Sequence, residues 1–168
     1  MKNVMEFAYS YKGVSAFRYP RGAFILRDEF KAKPLEFGKG EILADAESDI
    51  AFLGYGNGVG KANLVRNLLV GKLEAILVDL VFVKPLDSEL LLGLAKRTKK
   101  WYIFSDSAKK GGVGEIVSAF LQENGISNVS VVSFEYDDKF IQHGSTAEVE
   151  KSLGISAEQI TQKLLENN

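Results

Sequence analysis

From Ile50 onward the chain alternates between two hydrophobic periods. Short runs dense in Val, Ile, Leu and aromatic residues ("AFLGYG", "AILVDLVFV", "WYIFS" and "VSVVSFEY") are separated by stretches whose apolar residues recur every three or four positions. Val59, Ala62, Val65, Leu68 and Leu69 form the first helical stripe. Leu90, Leu91, Leu94 and Ala95 form the second, and Val113, Ile116, Val117, Phe120 and Leu121 the third. Strands that alternate with helices are joined by right-handed crossovers into a mainly parallel sheet covered on both faces. The pattern predicts an α/β fold with three layers, α/β/α.

End signals support these elements. Asp87 and Glu89 open the second helix, and Lys96, Arg97, Lys99 and Lys100 follow its end, the order that the helix dipole favours. Asn124-Gly125 closes the third helix. Ser145-x-x-Glu148 and Ser156-x-x-Gln159 are capping boxes, and Ile155 with Ile160 fits a hydrophobic staple, so two short helices end the chain. Upstream, "NVMEFAYSYKG" reads as a helix ended by Gly13, and "SAFRYPRGAFIL" as a strand around Pro20. The polar stretch "RDEFKAKPLEFGKGE", Arg27–Glu41, is the linker candidate.

Composition narrows the function classes. The 168 residues include 46% hydrophobic and 26% charged ones, the profile of a globular chain with a core. With 21 basic against 22 acidic residues there is no electrostatic footprint for nucleic acid. Cysteine is absent, which excludes thiolate metal sites and cysteine nucleophiles and fits a reducing compartment. The longest apolar run, Ala75–Val83, is interrupted by Asp79 and too short to span a membrane. No secretory signal is visible. The expectation is a cytoplasmic protein without nucleic-acid or membrane partners.

Candidate chemistry is sparse. "GYGNGVGK" resembles a phosphate-binding loop but lacks its first glycine and its hydroxyl residue, and Val59 stands where a dinucleotide fingerprint needs glycine. It reads as a tight strand-to-helix turn. "KKGGVGEIV" would either leave backbone N–H groups for an anion or let a neighbouring domain or subunit pack closely, the second being preferred. His143, the one histidine, reads as a structural loop residue ahead of a catalytic one, and Asp137-Asp138 as a solvated turn ahead of a carboxylate pair. Asp106 ends a strand, where it either faces a cleft or caps a turn. In "RYPRG" Arg21 follows a strand-breaking proline; its planar donors suit phosphate or carboxylate, or a surface ion pair.

Read in order, "FRYPRG", "GKGEIL", "IAFLGYG", "LVDLVFVKPLD", "GGVGEIV" and "DDKFIQHGS…LGIS" resemble the C-terminal part of the 1-deoxy-D-xylulose-5-phosphate synthases, which are transketolase-like and thiamine diphosphate-dependent. "KPLD" and "GGVG" are shared with transketolases and 2-oxoacid dehydrogenase subunits, whereas "RYPRG" and Asp138, Phe140, Ile141, His143 and Gly144 point to the synthases. The resemblance implies a mixed sheet of about five strands, the first of them, in "EFGKGEIL", antiparallel. It implies that residues 1–26 end a middle, pyrimidine-binding domain, that 27–35 are a linker, and that 36–168 are the C-terminal domain. The parent enzyme would join pyruvate and glyceraldehyde 3-phosphate with loss of CO₂, as a homodimer, for isoprenoid, thiamine and pyridoxal synthesis.

Within this chain the resemblance implies no catalytic, cofactor or metal residue. Thiamine diphosphate and Mg²⁺ would belong to the upstream domains. One residue carries over: Arg21, matching the family arginine that binds the phosphate of glyceraldehyde 3-phosphate. Arg18 matches the motif without an assigned role. Val81 stands where the family usually has a second phosphate-binding arginine, and "YIFSDS" (Tyr102–Ser107) where it has "VTVEEN". The leading expectation is a substrate-site-completing and assembly domain that is inactive alone. A stand-alone interaction domain, and the C-terminal domain of a transketolase or 2-oxoacid dehydrogenase, are the alternatives.

Overall fold

The structure, a computed structural model, describes residues 2–17, 19 and 33–167. After helix α1 (Lys2–Ser10) come β1 (Glu41–Ala44), β2 (Ile50–Gly54), α2 (Asn57–Leu68), β3 (Ile76–Asp79), α3 (Ser88–Ala95), β4 (Lys100–Ala108), α4 (Val113–Glu123), β5 (Ser130–Tyr136), α5 (Thr146–Ser152) and α6 (Ala157–Glu166). The five strands form one sheet in the order β1-β3-β2-β4-β5. β3, β2, β4 and β5 are parallel, and β1 runs antiparallel along β3. The expected three-layer α/β/α arrangement and the antiparallel first strand are both present.

Period-two alternation decides which layer each strand residue feeds. Phe52, Leu77, Tyr102, Phe104 and Phe134 point to the face covered by α2 and α6, where they meet Ala62, Val65, Ile160 and Leu164. Ala51, Leu53, Ile76, Val78, Trp101 and Ile103 point to the other face, against Leu91 and Leu94 of α3 and Val117 and Leu121 of α4. Central β2 is buried along its whole length, as a strand covered on both faces must be. Each large side chain fully withdrawn from water here contributes roughly 1.5–3 kcal/mol. Trp101 keeps its indole N–H satisfied by donating to Thr98 Oγ1 at 2.6 Å.

The end signals of the later helices act as expected, whereas α1 ends at Ser10, ahead of the expected Gly13. Asp87 caps α3 by accepting from the Leu90 amide, and both capping boxes, at Ser145 and Ser156, are formed. Ile155 and Ile160 lie in one apolar cluster, as a staple requires. Two expectations need correction. Leu68 is exposed rather than part of the buried stripe, because the α2 face turned to the sheet runs through Val59, Ala62 and Val65 to Leu69. The run Ala75–Val83 is a strand only to Asp79, because the backbone turns at Val81, whose φ is +53°. Of "SAFRYPRGAFIL", residues 18 and 20–26 lie outside the described residues; the other four form no strand.

Candidate functional site

β2 leads into α2 on one face and β4 into α4 on the other, so the strand order reverses between them. The crevice beyond the carboxyl ends of two such strands is where open α/β sheets hold ligands. Here main chain fills it. The Tyr55 amide donates to the Phe104 carbonyl at 3.0 Å, and a Cβ on Gly58 would stand 1.9 Å from that same oxygen. Only glycine fits there, so the spacing of "GYGNG" serves backbone packing, and the reading as a tight turn holds. Lys61 is paired within the fold. Its Nζ lies 2.5 Å from Glu150 Oε1 in α5, both side chains being largely buried. The Tyr136 hydroxyl donates to the same oxygen at 3.5 Å. Burial first, then the negative charges of Glu150 and Asp106, push Tyr136 up to about 12.

The second glycine cluster holds an anion, and the anion is internal. Glu135, 1% exposed, aims its carboxylate at the first turn of α4, accepting from the amides of Val113 at 2.8 Å and Gly114 at 3.2 Å. Ser107 donates to it at 2.6 Å. Ser107 is brought there by an irregularity in β4: between the pairs Phe104↔Phe134 and Ala108↔Tyr136, β4 advances four residues and β5 two. A Cβ on Gly112 would meet the Ala108 oxygen at 2.0 Å, and one on Gly114 would meet Glu135 Oε2 at 2.7 Å. The close approach expected at these glycines is thus made by the chain's own β4 and β5, where a neighbouring domain or subunit was the preferred reading.

Among the described residues the remaining candidates do not converge. Arg21 and Arg18 lie outside the described residues. Asp106 and His143 are exposed. Asp137 pairs with Lys109 at 2.7 Å and Lys139 at 3.2 Å, hydrogen bonds that hold its carboxyl below the ordinary range, and Asp138 lies 3.2 Å from Lys110. Both aspartates are half-exposed, as a solvated turn requires. Val81 offers no donor in place of an arginine side chain, and its own amide donates to Asp79 Oδ1 at 2.9 Å. Among the described residues no group of three or more His, Cys, Asp or Glu could hold a metal ion. The two glycine-rich helix starts do not fit a diphosphate either. The Val113 and Gly114 donors face Glu135, and the Gly58 and Val59 amides donate to the carbonyls of Tyr55 and Gly56.

Sequence reasoning missed Glu135 and the Lys61–Glu150 pair. The signal for Glu135 was available: two residues beyond Ser133 in "VVSFEY", it falls on the sheet face that α4 covers.

The family model for the transketolase C-terminal domain matches residues 38–160. The chain belongs to the transketolase C-terminal domain family. Among curated relatives, the 1-deoxy-D-xylulose-5-phosphate synthase of Campylobacter fetus subsp. fetus is 54% identical over 160 residues, covering 95% of this chain and 26% of that protein. The corresponding synthases of Campylobacter hominis and of Nitratiruptor sp. are 51% and 48% identical, over 98% of this chain and 27% and 26% of theirs. The chain therefore spans about a quarter of the length of these relatives, at their C-terminal part. A solved structure described as a split gene transketolase, inactive beta4 tetramer, superposes with a TM-score of 0.68 at 23% identity, over 88% of this chain and 47% of that one. The Campylobacter jejuni transketolase follows at a TM-score of 0.53 and 13% identity, over 77% of this chain and 18% of that one. At these identities the structures speak for the transketolase C-terminal fold. No helix among the described residues is long and apolar enough to cross a membrane.

Proposed function

We propose that this chain is the C-terminal part of a 1-deoxy-D-xylulose-5-phosphate synthase, a transferase that joins pyruvate and glyceraldehyde 3-phosphate with loss of CO₂. The observation that carries the reading is about 50% identity to proteins of that name across nearly the whole chain. Residues 1–26 would end the pyrimidine-binding domain, 27–35 would link, and 36–168 would form the C-terminal domain. The match of the family model to residues 38–160 supports that division. Thiamine diphosphate supplies an electron sink for decarboxylation when bound. It and Mg²⁺ would be held by the upstream domains of a cytoplasmic homodimer, and this part alone would bind neither and turn nothing over.

The residue of this chain assigned to substrate is Arg21. Its guanidinium would bind the phosphate of glyceraldehyde 3-phosphate through a forked, charge-assisted contact. In the full-length enzyme, Arg21→Ala should impair use of glyceraldehyde 3-phosphate by about ten- to a hundredfold, the loss of a contact of about 1.5–3 kcal/mol. Use of pyruvate should change much less. Arg21→Lys should recover only part, since a point charge cannot reproduce the fork. Steady-state kinetics on full-length wild type and both variants, varying each substrate in turn, test this. Normal kinetics for glyceraldehyde 3-phosphate in Arg21→Ala would return Arg21 to a surface ion pair. A full-length protein that does not form the ketose phosphate from these two substrates would overturn the assignment of the reaction.

A further inference from the structure

Four aromatic rings from three separate segments close into a cycle. Phe7 and Tyr11 of α1 and its C-terminal extension stack with centroids 6.2 Å apart, and Tyr11 stacks on Phe37 at 6.1 Å. Phe82 then meets Phe37 and Phe7 edge-on, each at 5.7 Å. Such pairs are favourable beyond the area they bury. Phe82 directly follows Val81, the one described residue other than glycine with positive φ. For a β-branched side chain that backbone is an outlier. The turn is closed by the Phe82 amide, which donates to the Leu80 carbonyl across a single residue, the strained hand of the three-residue turn.

Strained backbone persists only where its surroundings over-determine it. On one side of Val81, Leu80 is fixed: it is 3% exposed and its amide donates to the Gly54 carbonyl at 2.9 Å. On the other side stands Phe82 in the ring cycle. With Leu80 anchored, the φ of Val81 decides where the Phe82 ring goes, and a relaxed φ carries it out of the cycle. We propose that α1 is a strap whose docking, through Phe7 and Tyr11, holds the β3–α3 loop in the strained turn at Val81. Docking and turn conformation are then linked reciprocally: whatever withdraws α1 relaxes the loop, and whatever relieves the strain seats α1 more firmly. A polypeptide continuing upstream of α1 would set the loop by holding or releasing the strap. This inference is independent of the reaction assigned to the protein.

Hydrogen exchange on the 168-residue chain, read residue by residue by NMR, tests both directions. Phe7→Ala with Tyr11→Ala should speed exchange of the Val81 and Phe82 amides by about fivefold or more, the scale of one strained residue. The Ile76–Val78 amides should keep their protection and show that the domain is intact. Val81→Gly and Val81→Asn both admit positive φ, glycine without a Cβ and asparagine with one. Each should slow exchange of the α1 amides by about fivefold or more. Agreement between them excludes a mere change in chain flexibility, which glycine alone would introduce. Unchanged Val81 and Phe82 exchange in the double variant, or unchanged α1 exchange in both Val81 variants, overturns the coupling.

Discussion

The Glu135 carboxylate lies against the first turn of α4, 2.8 Å from the Val113 amide nitrogen. A helix N-terminus carries partial positive charge and unsatisfied donors, and a buried carboxylate needs both. Each group thus supplies what the other lacks, and β5 is tied to α4 across the layer boundary. Glu135→Gln keeps the shape but removes the charge, and adds two donors where only acceptors are wanted. It should destabilise the chain by about 1.5–3 kcal/mol, and Glu135→Ala by at least as much. Urea unfolding followed by far-ultraviolet circular dichroism measures both.

The glycines divide by what surrounds them. Gly58→Ala and Gly112→Ala each drive a methyl group into a backbone carbonyl that cannot move independently of its strand. Each should cost about 2–4 kcal/mol. Gly93 lies inside α3, and a methyl group added there would meet nothing within 4 Å, so Gly93→Ala should stabilise by about 0.5–1 kcal/mol through helix propensity. Thermal melts of the first two variants and of the third should therefore move in opposite directions. Equal shifts would contradict the packing account.

Lys61 and Glu150 form a largely buried pair joining α2 to α5. Breaking such a pair from one side strands a charge, so Lys61→Met or Glu150→Leu alone should cost about 2–4 kcal/mol. The double variant, which strands neither, should recover most of that loss. A double-mutant cycle by denaturant unfolding gives the coupling. Additive losses would mean that the pair is held apart by water in solution.

Tyr136 titrates late. Its folded value of about 12 stands above the ordinary tyrosine value of 10, so the folded chain holds the phenol proton more tightly than the unfolded chain. The contribution is fully present below pH 10 and is lost as pH rises through the window from 10 to 12. Allowing for solvent screening at this half-buried position, the loss is about 1–2 kcal/mol at most. Phenolate absorbance should show one tyrosine titrating well after the rest, and Tyr136→Phe should remove that phase.

How much of this was legible in the sequence depended on the range of the interaction. Period and capping are local, so the helices, their caps at Asp87, Ser145 and Ser156, and the parallel strands could be read from neighbouring residues. The sheet's antiparallel strand came from family resemblance, since "EIL" is too short to have a period of its own. The roles of Glu135 and Lys61 were missed because their partners are 22 and 89 residues away. A glycine cluster or a lysine after glycine has the same local appearance whether its partner is a ligand's phosphate or the chain's own carboxylate. The bend at Val81 was invisible for a different reason: valine is among the last residues whose sequence would announce a positive φ.

The contact of Gly58 with the Phe104 carbonyl also limits what the domain can become. Most pockets can be opened or reshaped by exchanging side chains, but this one is occupied by backbone, and no exchange of Tyr55 or Phe104 would vacate it. A ligand site at this end of the sheet would require residues to be inserted between Tyr55 and Gly58, lifting α2 off β4. Point substitution therefore explores surfaces, interfaces and stability in this domain while leaving it without a central pocket, and a new small-molecule specificity has to arrive by a change in loop length.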